Sequence, residues 1–445
     1  MTNIPSIGEL PSASFKQHFS ALIDPRRVGG MNRQFGKRQR RAPKVGTFEL
    51  IMSLVYHVFC QRGSFSWHVQ DLTGKKISDA ALSKRRMGLS WKIFERILEG
   101  VLCARADPKK HRGAFYKGLR LVGIDGTRFS LSNSPAILGK MKKAASRRFE
   151  AAFAQLGVCM VVELGIHNPL GIVIAQKETS EISLAQALIG KIPEMSLLLA
   201  DRLYGAGVFL TELLKFFESK QSHFLVRVSK VPKLQKIQRL ADGSVMGEAG
   251  GRKKRFTIRQ IYGVVHRRQG GRSYIRLWTS LLDHRKYPAN ELLKLYAQRW
   301  EQELAFKELK IDLKKDNLLS SQTVETAMQE IAALVIAQAI LVQVRIQAAH
   351  FHSTEILRIS FTHVLAHVQM MWQMMSRTRG IMTPEQENKW VRRVFNDVAQ
   401  SILPPRRKRS CPREVRKPVT SWPRLTHNRS FRGEFNPKVL RNYTL

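Results

Sequence analysis

Tyr296, Arg299, Glu303 and Lys310 stand at offsets of three, seven and fourteen residues from the first of them. At about 100° per residue on an α-helix, those offsets gather the four side chains into a stripe roughly 60° wide. Lys307 and Lys314 project into the same sector, whereas Glu301, Glu308 and Asp312 fall on the opposite side. One carboxylate therefore sits alone in a cationic strip. Such a strip suits a helix that holds a metal ion against a phosphate backbone, the carboxylate gripping the cation while Lys and Arg grip phosphate oxygens. The plainer alternative is surface ion pairing of Glu303 with Arg299 and Lys307, contributing about 0.3 kcal/mol each.

Two further acids tip the balance. Asp125 follows the strand expected over Leu119 to Ile124, and Asp201 follows the one expected over Met195 to Ala200. In an open α/β sheet, functional groups gather at the carboxyl ends of strands, although an aspartate there can also simply cap the next helix. Together with Glu303 the two aspartates make a coherent triad. Three carboxylates can hold two divalent ions about 3.5–4 Å apart, one activating a water or hydroxyl and the other stabilising a leaving 3′ oxygen. No nucleophilic side chain is required. His167 and His266 stand unaccompanied and read as packing or surface residues.

Composition agrees. Lys and Arg total 75 against 34 Asp and Glu, a formal charge of +41 over 445 residues, and a polyanion is the natural partner. No run of 18 or more apolar residues offers a membrane span; Ile331 to Val344 is too short and is interrupted by Gln338 and Gln343. The N-terminus lacks the order of a signal peptide, and Cys60, Cys103, Cys159 and Cys411 form no CxxC pair. These features point to a reduced, soluble, cytoplasmic protein. At 43% hydrophobic, the chain can fill two or three cores.

The elements that must position the triad fall into four stretches. Residues 1–112 read as helical and DNA-binding, with a basic loop from Arg33 to Lys44 and helices over Thr47 to Gln61, Trp67 to Leu72, Asp79 to Met87 and Trp91 to Ala104. The pair flanking Thr73-Gly74, its second member carrying Lys84, Arg85 and Arg86, resembles a helix-turn-helix reader. Residues 105–118 look like a linker. Residues 113–350 read as an α/β core: Ala154 to Leu164 and Ile166 to Ala175 form an antiparallel pair about Gly165, and crossover helices follow. Residues 230–285 depart from that rhythm as a β insertion, with strands at Arg255 to Ile261, Val264 to Arg268 and Ser273 to Leu282. The helix bearing Glu303 begins near Ala289. Residues 351–403 are helical, and the Met370, Met371, Met374 and Met375 cluster there suits a core or an interface. The tail from residue 404 carries twelve Lys or Arg against two Glu.

The triad, the Tyr296-x2-Arg299-x3-Glu303-x6-Lys310 signature, Ile124-Asp125-Gly126-Thr127 and Ala200-Asp201-Arg202-Leu203-Tyr204-Gly205 resemble the DDE transposases of bacterial insertion sequences, in the group named after insertion sequence four. Thr279-Ser280-Leu281-Leu282-Asp283 with Tyr287-Pro288 resembles the family's lead into its signature helix. The likeness covers roughly Leu119 to Ala348 and extends more weakly to both ends. It implies an RNase H-like core with a β insertion before catalytic Glu303, and a two-metal site for Mg2+, with Mn2+ as substitute, on Asp125, Asp201 and Glu303. It implies cleavage of double-stranded DNA at the element's inverted-repeat ends, then attack of the freed 3′-OH on target DNA. Tyr296, Arg299 and Lys310 would contact end phosphates, and Trp300 would lie near a flipped base. A homodimer would cut the paired ends in concert, and the protein would be bacterial and nucleoid-associated.

One position departs from the family. Relatives that cleave through a DNA hairpin carry a second aromatic four residues before the Thr of the Thr-Ser pair, and here that residue is Ile275, with Tyr274 and Trp278 nearby. Two other readings stay open: a non-enzymatic, sequence-specific DNA-binding protein derived from a transposase, and a general nuclease on the same core.

Overall fold

The computed structural model describes residues 15–36, 41–60, 62–145, 150–229, 234–251, 254–266, 272–316, 318–378 and 381–404. The tail from residue 405 with Cys411, part of the basic loop at 33–44 and the side chain of His266 lie outside the described residues.

Among the described residues, six helices come first: α1 Phe15–Leu22, α2 Pro25–Phe35, α3 Thr47–Cys60, α4 Phe65–Thr73, α5 Asp79–Met87 and α6 Trp91–Val101. Their ends follow local chemistry. Ser64 and Ser78 accept from the backbone N–H groups of Trp67 and Ala81, capping α4 and α5. On α5, two of the cations expected to face DNA are structural instead. Arg86 donates to Ser321 Oγ (3.3 Å) and to the Thr326 carbonyl (2.9 Å), and Arg85 reaches the Val45 carbonyl (3.4 Å).

The expected linker is tied down. Buried Glu163 accepts from the backbone N–H groups of Arg105 (2.9 Å) and Ala106 (3.1 Å), from Asn168 Nδ2 (2.6 Å) and from Arg120. A short strand, β1 (Phe115–Tyr116), then pairs with β2 (Leu119–Ser130). Next come α7 (Pro135–Leu138), β3 (Gln155–Glu163), β4 (Asn168–Ile174), α8 (Glu181–Gln186), β5 (Ser196–Ala200), α9 (Gly207–Glu218) and β6 (His223–Arg227). The β2–β3–β4 meander is antiparallel, while β2, β5 and β6 are parallel. The spatial order β4-β3-β2-β5-β6 is that of an RNase H-like core.

The insertion adds β7 (Gln235–Arg239), β8 (Val245–Gly251), β9 (Lys254–His266) and β10 (Arg272–Thr279), with β10 pairing antiparallel to β6 so that the sheet continues as one. The two strands expected between residues 255 and 268 are one continuous strand, β9.

After the insertion come α10 (Ala289–Tyr296), α11 (Trp300–Lys307), α12 (Val324–Phe351), α13 (Phe361–Arg377) and α14 (Pro384–Gln400). One apolar core runs from α1–α6 through α12–α14 onto β2–β4. The change of texture near residue 112 is therefore not a break in packing. A second core lies under α8 and α9, and a third lies between the sheet and α10. By length and composition α12 could cross a membrane, being longer than the 331–344 run suggested, but 89% of its most apolar window is buried in the protein. Gln338 on α12 serves the core by donating to the Ala305 carbonyl of α11 at 3.0 Å.

Candidate active site

The parallel register of β2 and β5 sets Ile124 opposite Ala200. The next residue on each strand is an aspartate, so Asp125 and Asp201 stand abreast where β5 ends. Each turns one oxygen to the backbone N–H that follows it, Asp125 Oδ1 to Gly126 at 2.9 Å and Asp201 Oδ1 to Arg202 at 2.7 Å. The third acid arrives from the other side of the chain. Helix α11 packs on β2, where Gly123 leaves room for it: a Cβ there would lie 2.7 Å from Gln302 Oε1 and 2.6 Å from Leu164 Cδ2. Gly123→Ala should therefore push α11 outward and cost about 1–3 kcal/mol of overpacking, read as a lower thermal midpoint; an unchanged midpoint would show that the helix is not seated this closely.

The stripe expected on one uniform helix is carried by an irregular one. Between α10 and α11 lies a 3-10 turn, Ala297–Arg299, and Glu308–Leu313 forms a π turn. The wider π turn brings residues five apart together, so Lys307 pairs with Asp312 at 2.8 Å, although a regular wheel put them on opposite sides. Lys314 pairs with Glu330 at 3.4 Å. Glu303 Oε1 accepts from Arg299 Nη2 at 2.8 Å.

The four signature residues take distinct environments. Tyr296, expected at a phosphate, is buried and donates its hydroxyl to the Ala200 carbonyl at 3.1 Å, which clamps the helix to the strand end before Asp201. Lys310 Nζ reaches Thr127 Oγ1 (3.1 Å) and the Arg128 carbonyl (2.9 Å) at the far end of β2, and burial lowers its pKa. Arg299 is held between charges and also lies 6.0 Å from the Trp300 ring centroid. Trp300 itself is 46% exposed. At the hairpin position Ile275 packs against the third core; of the aromatics nearby, Trp278 is buried and bonded to Gln260, and Tyr274 is 67% exposed.

Sequence reasoning missed a fourth carboxylate. Glu181, at the start of α8, lies over Gly126, where a Cβ would come within 2.3 Å of its Cδ. The buried Tyr204 hydroxyl donates to Glu181 Oε1 at 2.8 Å. Burial, then the Glu181 charge, push the Asp125 carboxyl up to about 7, with Asp201 adding to the shift and Arg299 opposing it. The glycine after Asp125 was the only local sign that another chain segment approaches there. His167 is a correction of a different kind. Expected to be unaccompanied, it is fully buried, with Nε2 2.9 Å from Glu301 Oε2 and Nδ1 2.9 Å from Glu308 Oε2.

The donor chemistry fits a hard divalent cation: all the acids offer oxygen, and Asp125 carries an excess of neighbouring negative charge that a cation would relieve. Among the described residues, no three His, Cys, Asp or Glu side chains converge closely enough to ligate one ion as they stand. Arg299 pairs with Glu303, and its charge acts on both aspartates.

The sequence profile of the Transposase DDE domain family matches residues 116–338. The transposase InsG for insertion sequence element IS4 of Escherichia coli (strain K12) is 24% identical over 364 residues, covering 78% of each chain. A cryo-EM structure of a piggyBac transposase synaptic complex with hairpin DNA aligns at a TM-score of 0.48 and 9% identity, over 87% of this chain and 86% of that one. The profile match takes in half of the sequence, from the end of β1 into α12, and the chain belongs to the DDE transposases, enzymes that act on DNA.

Proposed function

We propose that this transposase cleaves the inverted-repeat ends of an insertion sequence and joins the freed 3′-OH to target DNA, with Asp125, Asp201 and Glu303 holding Mg2+. The observation that carries the reading is the parallel register that sets Asp125 and Asp201 abreast, with the Arg299–Glu303 turn packed against the same strand. Bound Mg2+ or Mn2+ would supply Lewis acidity to the attacking and leaving oxygens of the scissile phosphate. The chain's own residues do the positioning. Arg299 neutralises the acids until DNA phosphate competes for its guanidinium, which frees Glu303 to complete the site. Lys310, at the far end of β2, takes a second phosphate, and Trp300 offers a stacking face to an extruded base. The exposure of Tyr274 supports it, rather than Ile275, as the residue that would meet a base if cleavage goes through a hairpin.

Residues 1–112 supply end recognition in this reading, through the basic loop and the exposed part of α5. Exposed Met370 and Met374 on α13, beside buried Met371 and Met375, support a contact with a second copy in the DNA complex. Lys310→Ala should slow nicking about tenfold to a hundredfold without abolishing it, because phosphate placement weakens while the acids remain; a rate equal to wild type would remove Lys310 from the phosphate path. The whole reading is tested by nicking of a labelled end duplex beside one with scrambled ends, each with and without Mg2+. Metal-dependent nicking of the end duplex alone is expected. No nicking would favour the non-enzymatic DNA binder, and equal cutting of both duplexes the general nuclease.

A further inference from the structure

Two carboxylates, an imidazole and a guanidinium form a buried cluster behind the helix that carries Glu303. His167 lies in the turn between β3 and β4, with only 2% of its side chain exposed. Its backbone is left-handed at φ +56°, as befits a residue in the tight β3–β4 turn. One ring nitrogen meets Glu301 and the other meets Glu308, both at 2.9 Å. The remaining Glu308 oxygen accepts from Arg345 Nη1 on α12 at 3.0 Å, and Arg345 Nη2 donates to the Ile359 carbonyl at 2.5 Å. With the imidazole protonated, the four groups balance in charge.

We propose that His167 is a positioning residue for Glu303, acting through Glu301 and Glu308 on the helix between them. The proposal rests on the reading of Glu303 as a metal-holding acid. Glu301 lies two residues before Glu303 and Glu308 five after it, and both project to the opposite side of the helix. The helix is irregular at both ends of this stretch, with a 3-10 turn before it and a π turn that opens at Glu308. Taking the buried Glu308 carboxylate away from the ring is costly, and the Glu301 contact at the rim adds to it, so rotation of α11 away from His167 is opposed. Rotation is also what would swing Glu303 relative to Asp125 and Asp201. Burial alone would strip the imidazole of its proton; the charge of Glu308 and the contacts with both glutamates outweigh that and raise its pKa above the ordinary value, which favours the charged ring between the two carboxylates.

The test compares the full chain with His167→Gln, Glu301→Ala and Asp125→Ala. Three quantities are read: the single-turnover nicking rate at saturating end duplex, the affinity for that duplex by gel shift, and Mn2+ affinity by electron paramagnetic resonance on protein bound to a pre-cleaved end. His167→Gln should bind the duplex as wild type does and nick about tenfold or more slowly, with Mn2+ affinity lowered about tenfold, as expected when a ligand loses its orienting partner. Glu301 is partly exposed at the rim of the cluster, so Glu301→Ala carries the same expectation if His167→Gln does not fold. Wild-type rate and Mn2+ affinity in these variants, beside an inactive Asp125→Ala, would overturn the positioning role and leave the metal-site reading standing. Loss of duplex binding in step with nicking would also overturn it, as the mark of a merely structural defect. An active Asp125→Ala would overturn the metal-site reading itself, and the proposal with it.

Discussion

Replacing Asp125, Asp201 or Glu303 by Ala is expected to slow first-strand nicking by about a thousandfold or more, a loss of roughly 4 kcal/mol of transition-state stabilisation. Binding to the end duplex should survive, since the affinity comes from the +41 chain and its Lys and Arg contacts rather than from the acids. Removing a carboxylate could only lessen repulsion of phosphate in the absence of metal. The three variants should differ in detail. Asp125 and Asp201 lie side by side on neighbouring strands, and their loss removes the floor of the site. Loss of Glu303 also releases Arg299 from its 2.8 Å pairing, so Glu303→Ala should hold DNA the tightest of the three. Ca2+ should support binding but little cutting, because its larger and looser shell matches the required geometry poorly. The assay is nicking of a labelled end duplex in Mg2+, Mn2+ and Ca2+, with gel shifts on the same preparations. An Asp201→Ala protein that nicked at the wild-type rate would sink the metal-site reading.

Much of the framework was legible because its signals are local. Ser78 before Asp79 and Gly88 after Met87 bracket α5 as expected, and the short apolar run ahead of Asp201 is the core strand β5. The run expected to end at Asp125 instead continues as β2 to Ser130, so Asp125 sits within a strand rather than at its end. Asp201 and Glu303 could be picked out because a strand end and a solitary carboxylate in a cationic stripe are both readable from spacing. What escaped depends on contacts between distant segments. Glu181 meets Gly126 over the face of the sheet, and nothing beside Glu181 announces it. Glu308 was placed on the side of a regular helix opposite the stripe, and it is buried there between His167 and Arg345 because that side faces α12 and the β3–β4 turn. A wheel with constant pitch could not anticipate the 3-10 and π turns that shift Lys307 onto Asp312. Arg85 and Arg86 looked like DNA contacts by composition, but capping carbonyls in the core needs the same donors.

Those long-range contacts hold the Glu303 helix at its start as well as from behind. Pro288 precedes α10 and has no side-chain oxygen to cap it. Asp242, from the turn before β8, supplies the missing acceptor: its Oδ2 takes the Ala289 N–H at 2.9 Å. Asp242 is fixed in turn by Arg259 on β9, which is fully buried. The same guanidinium donates from Nε to Ser244 Oγ at 2.8 Å and from Nη1 to the Tyr287 carbonyl at 2.6 Å. The insertion is thus wired to the first turn of the helix that leads to Glu303.

Arg259→Ala should therefore destabilise the protein by about 3 kcal/mol, because it leaves Asp242 without its counter-charge and the Tyr287 carbonyl without its donor. Arg259→Lys should recover little of this, since one ammonium cannot reproduce a planar fork that serves several acceptors at once. The loss should be local first. Limited proteolysis is expected to cut within β7–β10 and ahead of α10 before the helices around α12, whose core does not include this cluster. Nicking should fall with it, while Asp125 and Asp201 stay in place on strands that Arg259 does not touch. Thermal unfolding and a timed protease digest of Arg259→Ala, Arg259→Lys and wild type decide the matter. Equal midpoints and equal digestion patterns would mean that the insertion and the Glu303 helix are held together by their apolar contacts alone.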